Sequence, residues 1–278
     1  MRKLLPGAWS VRCGSWLVAS SSATGEHHDI CEDAAMAYFP ESGGVHVCVA
    51  DGVSLGEVGH IAAQSLARHC VSLPEDDARN MQAVARWVEA ADHVVARAVA
   101  ASGRRRGAAC MVSVWLDPGG SGTLSHVGDC RLYRWSLNSN GTANVADLTV
   151  DQTFLHLGEV PPLGVGPRNP ARMAGSGSVG DAEVHAHHIS EGCGLLLCSD
   201  GVHVALTAQD LGLLIGDELL CREPAAPHAL DRISQAIVLA SAQRGSADDI
   251  CVAIIWRQPI NQTATGDSHD EACHQFPA

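Results

Sequence analysis

The stretch AAMAYFPESGGVHVCVADG, residues 34–52, decides the fold of this chain. Two apolar runs, 34–39 and 45–50, flank the turn sequence Pro-Glu-Ser-Gly-Gly, a pattern that predicts an antiparallel β-hairpin. A symmetric turn centred on Ser42 makes the numbers of paired residues add up to 84, which sets Asp33 beside Asp51. Glu32 lies next to both, so the hairpin predicts a group of carboxylates where its strands leave the core.

A second segment, GLLLCSDG at 194–201, has the same design: a buried apolar strand, a small residue, then Asp200 and a glycine. The last predicted strand opens with Asp248 and Asp249, and antiparallel pairing of these two strands brings that acidic start to Asp200. Several carboxylates at one edge repel each other and favour a hard divalent cation such as Mg²⁺ or Mn²⁺. Because Asp-Gly is also a common turn signal, the residues alone leave a metal site and a set of helix caps and turns equally open.

The rest of the chain alternates groups of strands with pairs of helices. Apolar residues spaced three and four apart predict a helix over 81–98, and another helix is predicted over 56–70. Strands are predicted at 107–116, 123–128, 130–136, 145–150, 182–189, 194–199 and 250–256, and further helices at 207–216 and 224–243. The glycine- and proline-rich stretch 152–180 is predicted to be irregular. This order indicates an α+β protein with antiparallel sheets covered by helices.

Composition excludes several classes of partner. The chain has 18 Lys and Arg against 31 Asp and Glu, and its net charge of −13 argues against a nucleic-acid binder. The longest stretch without a charged residue, Cys13 to Gly25, is 13 residues long, so no membrane span is expected. The start MRKLLPGAWS leaves no room for the apolar segment of a secretion signal.

Cysteine usage indicates a reducing compartment. The 11 cysteines are odd in number, form no C-x-x-C pair and in several cases lie inside apolar runs. Reduced core thiols of this kind fit the cytoplasm better than an exported disulfide framework. We expect one domain over residues 1–257 and a disordered tail over 258–278.

Six acidic or glycine-containing segments occur in series. They are CEDA at 31–34, VADGV at 49–53, HVGDCRLY at 126–133, LTVDQ at 148–152, LLCSDGV at 196–202 and ADDICVAI at 247–254. In this order the segments resemble the metal-dependent serine/threonine protein phosphatases of the protein phosphatase 2C type. The Gly25-Glu26-His27-His28 opening is similar to that of a bacterial subgroup. The resemblance implies a four-layer α-β-β-α sandwich of two antiparallel sheets flanked by helix pairs.

The resemblance also implies a role for each acidic residue. Asp51 would bridge two Mg²⁺ or Mn²⁺ ions, with Asp200 and Asp248 completing one site, and Glu32 with the Gly52 carbonyl supporting the other. Asp33 would hold a metal-bound water, and Asp129 would help to bind a third, weaker ion. The implied reaction is hydrolysis of phosphoserine and phosphothreonine on proteins by a water that two metals activate. The implied partners are phosphoproteins whose phosphorylation a serine/threonine kinase supplies.

Two departures from the family pattern leave alternatives open. Many members have a phosphate-binding arginine where this chain has His28, which is interpreted either as a phosphate contact or as a solvated loop histidine. Val53 stands where some relatives have a histidine proposed as general acid. A non-catalytic phosphatase-like domain that binds phosphorylated partners or regulates assembly is therefore the alternative function. An unrelated redox or zinc protein is a third hypothesis, and the 152–180 stretch is either a flap that shapes substrate access or a plain loop.

Overall fold

The computed structural model describes residues 5–6, 8–26, 28–53, 58–104, 106–138, 141–180, 182–220 and 228–259. In chain order the elements are β1 Leu5–Pro6, β2 Trp9–Cys13, β3 Trp16–Ala23, β4 Ala34–Tyr38, β5 Val45–Val53, α1 Gly59–Val71, α2 Met81–Ala101, β6 Ala108–Leu116, β7 Ser121–Val127, β8 Arg131–Leu137, β9 Ala143–Asp147, α3 Phe154–Leu157, β10 Glu183–His188, β11 Cys193–Cys198, α4 Asp200–His203, α5 Ala208–Leu220, α6 Ala229–Gln243 and β12 Ile250–Arg257.

The strands form two antiparallel sheets of six strands each. The first sheet has the order β1-β4-β5-β6-β7-β10, and the second has the order β2-β3-β12-β11-β8-β9. Helices α1 and α2 pack on the first sheet, while α5 and α6 pack on the second. Apolar side chains fill three layers, one between the two sheets and one under each helix pair. The expected four-layer α-β-β-α sandwich is confirmed.

The hairpin of β4 and β5 has the register that its turn predicts. Ala34 pairs with Ala50 and Tyr38 with His46, so paired residue numbers add up to 84. Strands β11 and β12 are also antiparallel, with Cys198 opposite Val252. Both pairs therefore end at the same edge of the sandwich, where their acidic residues follow.

The hairpin of β2 and β3 is an element that the sequence analysis missed. Strand β3 contains the run Ser20-Ser21-Ser22, which hides the alternation of apolar and polar residues expected of a half-buried strand. Ser20 and Ser21 are nevertheless buried, and the Ser21 hydroxyl lies 2.8 Å from that of Ser234 on α6. Since β3 lies between β2 and β12, tertiary packing decides its conformation.

Other element boundaries differ slightly from the predictions. Strand β9 ends at Asp147 instead of 150, and α5 extends to Leu220 instead of 216. Helix α2 is capped by Asn80, whose side chain accepts from the backbone N–H groups of Gln82 and Ala83. The stretch 152–180 is irregular apart from the single turn of α3, as predicted. Residues 56–57 and 224–227 of two predicted helices, and 260–278 of the predicted tail, lie outside the described residues.

Most of the described cysteines lie in the core, as expected. Nine cysteines lie in the described parts of the chain; all are unpaired, and six are buried. Across the same parts of the chain, no helix combines the length and apolar character needed to cross a bilayer.

Buried histidines generate a pH dependence of stability. Burial lowers the pKa of His46 to about 4, although its ring nitrogen contacts the Val71 carbonyl. A lowered folded-state pKa contributes stability above pH 6.5, which is lost as the pH falls towards 4. We therefore expect the stability advantage of wild type over His46→Leu to decrease in this interval, by at most about 1.4 kcal/mol per pH unit. Urea unfolding of both proteins at each pH measures this difference in the free energy of unfolding. The substitution His93→Leu on exposed α2 surface serves as the control and should show no such trend.

Candidate metal centre

The acidic residues that follow the strands meet in one cleft between the two sheets. The cleft has a volume of about 360 Å³ and is lined by His28, Glu32, Asp51, Gly52, Val53, Asp129, Asn169, Pro170, Asp200, Ala247 and Asp248. None of these lining residues is a lysine or an arginine. Of the site residues predicted from the sequence, only Asp33 does not line the cleft, and it lies just behind it.

Asp51 and Asp33 are the most strongly perturbed carboxyls. Asp51 is still part of β5, where it pairs with Cys110 of β6, and Asp33 directly precedes β4. Burial raises the pKa of Asp51 well above its usual range, and the neighbouring Asp33, Asp200 and Asp129 raise it further. Burial likewise raises the pKa of Asp33, against a hydrogen bond from the Ser199 side chain.

One oxygen of Asp33 lacks a hydrogen-bond partner. Its Oδ2 is buried, and no described residue bonds to it. An unsatisfied buried carboxylate oxygen is costly, so this atom is a position at which a water or a cation-bound ligand is needed.

Asp200 and Asp129 close the cleft from the second sheet. Asp200 is the first residue of α4, separated from β11 by Ser199, and Asp129 lies in the turn between β7 and β8. Burial raises the pKa of Asp200 to about 7, with further contributions from Asp129 and Asp248. Burial also raises the pKa of Asp129. Carboxyls that raise each other's pKa in this way form a site that binds either protons or cations.

The two adjacent residues Asp248 and Asp249 have different environments. Asp248 is exposed and lines the cleft, whereas Asp249 is only 2% exposed and faces the loop between β3 and β4. Asp249 accepts hydrogen bonds from the backbone N–H groups of Gly25 at 2.7 Å and Glu32 at 2.6 Å. No role for Asp249 was predicted from the sequence; the residue ties the loop between β3 and β4 to the start of β12. Its partners are more than 200 residues away, so no local signal identifies them.

Asp249 also contacts His28. The Nδ1 atom of His28 lies 2.9 Å from Asp249 Oδ2, and this hydrogen bond is the main cause of the raised pKa of His28. His28 therefore lines the cleft with its ring hydrogen-bonded to Asp249, while 37% of its side chain remains exposed to solvent. Ligand atoms of His28, Asp248 and Asp249 lie within 4.8 Å of one another, but the backbone N–H groups already occupy Asp249.

Gly59 shapes the Glu32 side of the cleft and is a second residue that sequence analysis missed. Its backbone N–H, at the start of α1, donates to Glu32 Oε1 at 3.1 Å. A Cβ atom at position 59 would lie 2.5 Å from both Glu32 Oε2 and the Gly52 carbonyl oxygen. Only glycine allows the helix to approach these two oxygens, which brings the carboxylate and the carbonyl together.

The donor set fits hard divalent cations. The groups that line the cleft include five carboxylates and the Gly52 carbonyl, the oxygen ligands that Mg²⁺ and Mn²⁺ prefer. The pKa values of Asp51 and Asp200 are raised by burial first and by the neighbouring carboxyls second. His28 is the single lining side chain able to carry a positive charge.

Comparison with solved structures places the fold among bacterial serine/threonine phosphatases. A serine/threonine phosphatase of S. agalactiae has a TM-score of 0.67 and 18% identity, covering 87% of this chain and 100% of that chain. PppA of Pseudomonas aeruginosa, described as a key regulatory component of T6SS, has a TM-score of 0.65 and 22% identity, covering 89% and 99%. The catalytic domain of the phosphatase PstP in complex with two manganese ions has a TM-score of 0.65 and 19% identity, covering 88% and 99%.

At these identities the likeness establishes the fold. The resemblance to the protein phosphatase 2C type is thereby confirmed at the level of architecture, over almost the full length of the solved chains. A scan against models of protein families and a search of curated proteins each find no match.

Burial and carboxylate repulsion should together make the stability of the metal-free protein sensitive to pH. The pKa of Asp200 is about 7 in the folded state and 3.8 ordinarily, so its contribution to stability is present below pH 4 and lost as the pH rises through 7. We expect chelator-treated wild type to lose stability relative to Asp200→Asn over this interval, as measured by urea unfolding. The exposed Asp147→Asn on β9 is the matched control.

Saturating Mn²⁺ or Mg²⁺ should restore the stability that the metal-free protein loses. A cation that binds only the folded protein adds about 2.7 kcal/mol at 100 times its dissociation constant, and should raise Tm by roughly 5–10 °C. Sodium chloride at matched ionic strength should do much less, because screening does not supply coordination. A Tm that changes with neither Mn²⁺ nor Mg²⁺ would contradict a metal site in this cleft.

Proposed function

We propose that this protein hydrolyses phosphoserine and phosphothreonine on proteins, with two or three Mg²⁺ or Mn²⁺ ions bound in the cleft. The observation that carries the proposal is the convergence of carboxylates from separate segments on one cleft, whose described lining residues include no lysine or arginine. The shared fold of bacterial serine/threonine phosphatases supports it. The substrates would be phosphoproteins made by a serine/threonine kinase, and the nine unpaired thiols favour the cytoplasm as the location.

The carboxylates divide naturally between two ions. Asp51, which interacts with the carboxyls of both sheets, would be the shared ligand. Asp200 and Asp248 would complete one site, and Glu32 and the Gly52 carbonyl, held together by Gly59, would support the other. Asp129 would contribute to a third and weaker site. When bound, such ions lower the pKa of a water nucleophile and neutralise phosphoryl oxygens.

The remaining groups would orient the reactants. Asp33 has a buried oxygen without a partner, so it is the acceptor for the hydrogen bond of the attacking water. His28 is held by Asp249 through Nδ1, so when the ring is protonated its Nε2–H is left to donate to a phosphoryl oxygen, and the raised pKa of His28 favours this form. No protein nucleophile is needed in this scheme, and protonation of the leaving group is left to water because Val53 has no acidic proton.

The proposal predicts a loss of function at the shared ligand. We expect Asp51→Asn to abolish hydrolysis of para-nitrophenyl phosphate and of a phosphothreonine peptide, because a neutral amide oxygen cannot balance two cations. The exposed Asp147→Asn should retain wild-type rates. The assay is run with Mn²⁺ and repeated with chelator. Activity of Asp51→Asn within about tenfold of wild type would overturn the assignment of the site.

The same assay separates the catalytic from the non-catalytic function. A wild-type protein that binds Mn²⁺ and a phosphopeptide by calorimetry, yet hydrolyses neither substrate, would support a phosphopeptide-binding domain instead. We expect turnover, since every carboxylate of the family pattern is present and lies in or directly behind the cleft.

Substitutions of His28 should change the Michaelis constant in opposite directions. His28→Ala removes a phosphate donor and should raise KM with a smaller effect on kcat. His28→Arg can keep the ion pair with Asp249 and offer a second N–H, so it should lower KM for phosphate monoesters. Steady-state kinetics at constant Mn²⁺ provides both values. Equal KM in the two variants would show that this side chain does not contact phosphate.

A further inference from the structure

Gly128, which precedes Asp129, is held from two sides by Gln152. The backbone N–H of Gly128 donates to Gln152 Oε1 at 2.9 Å, and the backbone N–H of Gln152 donates to the Gly128 carbonyl at 2.7 Å. Gln152 thus satisfies both backbone polar groups of one residue. Its own side chain does not line the cleft, so it contacts neither the proposed ions nor the substrate.

A carboxylate on β10 determines which way the Gln152 amide faces. The Nε2 of Gln152 donates to Glu183 Oε2 at 3.0 Å, and Glu183 Oε1 lies 2.9 Å from His185 Nε2. The Nδ1 atom of His126 lies 3.5 Å from Glu183 Oε2, and this contact is the main cause that lowers the pKa of Glu183 to about 2. Glu183 is therefore ionised and only accepts hydrogen bonds. Because the amide NH₂ must face this acceptor, the amide oxygen faces Gly128.

The segment that carries Gln152 is itself anchored to the Asp129 turn. Arg131, two residues after Asp129, donates through Nε and one terminal nitrogen to both oxygens of Asp151, at 2.7 and 2.8 Å. This bidentate pair brings Gln152, the next residue, against Gly128.

The turn needs such support because its backbone is unusual. Gly128 has φ of +95°, a conformation that favours glycine, and a Cβ atom there would clash with the Cys110 side chain. Because glycine loses more conformational freedom on folding than other residues, hydrogen bonds are needed to hold Gly128 in one conformation. The Asp129 carbonyl is held separately, by the Nε2 of His203 at 2.9 Å.

We propose that Gln152 is a positioning residue: oriented by Glu183, it fixes the Gly128 backbone so that the Asp129 carboxylate stays directed into the cleft. The inference rests on the proposed function, in which Asp129 contributes to the weakest of the metal sites. Gln152 acts through Asp129, in the way that groups behind a metal ligand set its orientation and affinity.

Mn²⁺ binding measured by calorimetry tests the proposal without relying on turnover. Gln152→Leu keeps the side-chain volume but removes both amide bonds, and we expect it to weaken the weakest Mn²⁺ site about tenfold while the tighter sites keep their affinity. Gln152→Glu places a carboxylate against Glu183 and should have a similar effect. The double variant Gln152→Glu, Glu183→Gln restores a hydrogen bond with donor and acceptor exchanged and should recover the affinity. Glu183→Gln alone can still accept from Gln152 but no longer only accepts, so it should weaken this site less than Gln152→Leu does.

A double-mutant cycle with Asp129→Asn separates positioning from a general structural role. If Gln152 acts through Asp129, then Gln152→Leu should have no further effect on the weakest site in the Asp129→Asn background. Additive losses, or loss of the tight ions in Gln152→Leu, would overturn the proposal. Amide hydrogen exchange gives a metal-free measurement: Gly128 should exchange faster in Gln152→Leu than in wild type, and unchanged exchange would overturn the proposal as well.

These measurements also distinguish failure of this inference from failure of the proposed function. If the protein has no phosphatase activity but the double-mutant cycle of Mn²⁺ binding is non-additive, Gln152 is a positioning residue and the proposed activity is wrong. An active phosphatase in which Gln152→Leu binds Mn²⁺ like wild type would retain the activity and overturn the positioning role.

Discussion

Electrostatic repulsion between carboxylates at one edge of the sandwich is the constraint on which the site depends. Two carboxylates about 5 Å apart repel by about 3 kcal/mol at an effective dielectric constant of 20. Asp33, Asp51, Asp129 and Asp200 all have raised pKa values because burial and neighbouring carboxyls disfavour their ionised forms. The two sheets hold these groups together through strand pairing and three apolar layers. The fold therefore holds together carboxyl groups whose ionised forms repel each other.

Hydrogen bonding decides which acidic residues remain available to a cation. Asp249 is the most buried carboxylate of the region, yet it is occupied by two backbone N–H groups and by His28. It acts as a structural connection between the opening loop and β12. Asp248, one residue earlier, remains exposed to the cleft. Two neighbouring residues of the same type thus have different environments because their side chains lie on different sides of the chain.

Close approach between backbone segments is the second feature that shapes the site. Gly59 lets α1 reach the oxygens of Glu32 and Gly52, and Gly128 allows the turn that carries Asp129 to pass over Cys110. Both glycines are fixed by hydrogen bonds, with Glu32 and with Gln152 respectively. The cleft consequently combines repelling charges with backbone segments whose positions are closely determined.

The amino-acid sequence by itself determined the local elements and the acidic ends of the strands. The turn centred on Ser42 predicted the β4–β5 register, and apolar periodicity predicted α2, because both depend on residues close in the chain. Tertiary structure alone decided the β2–β3 hairpin, whose serine-rich strand is buried by neighbours that lie far along the sequence. It also decided the separate environments of Asp248 and Asp249 and the contacts of Gly59 and Gln152. Hydrogen bonds such as that between Glu32 and Asp249 join residues 217 apart, and they form only once the packed sheets bring distant strand ends together.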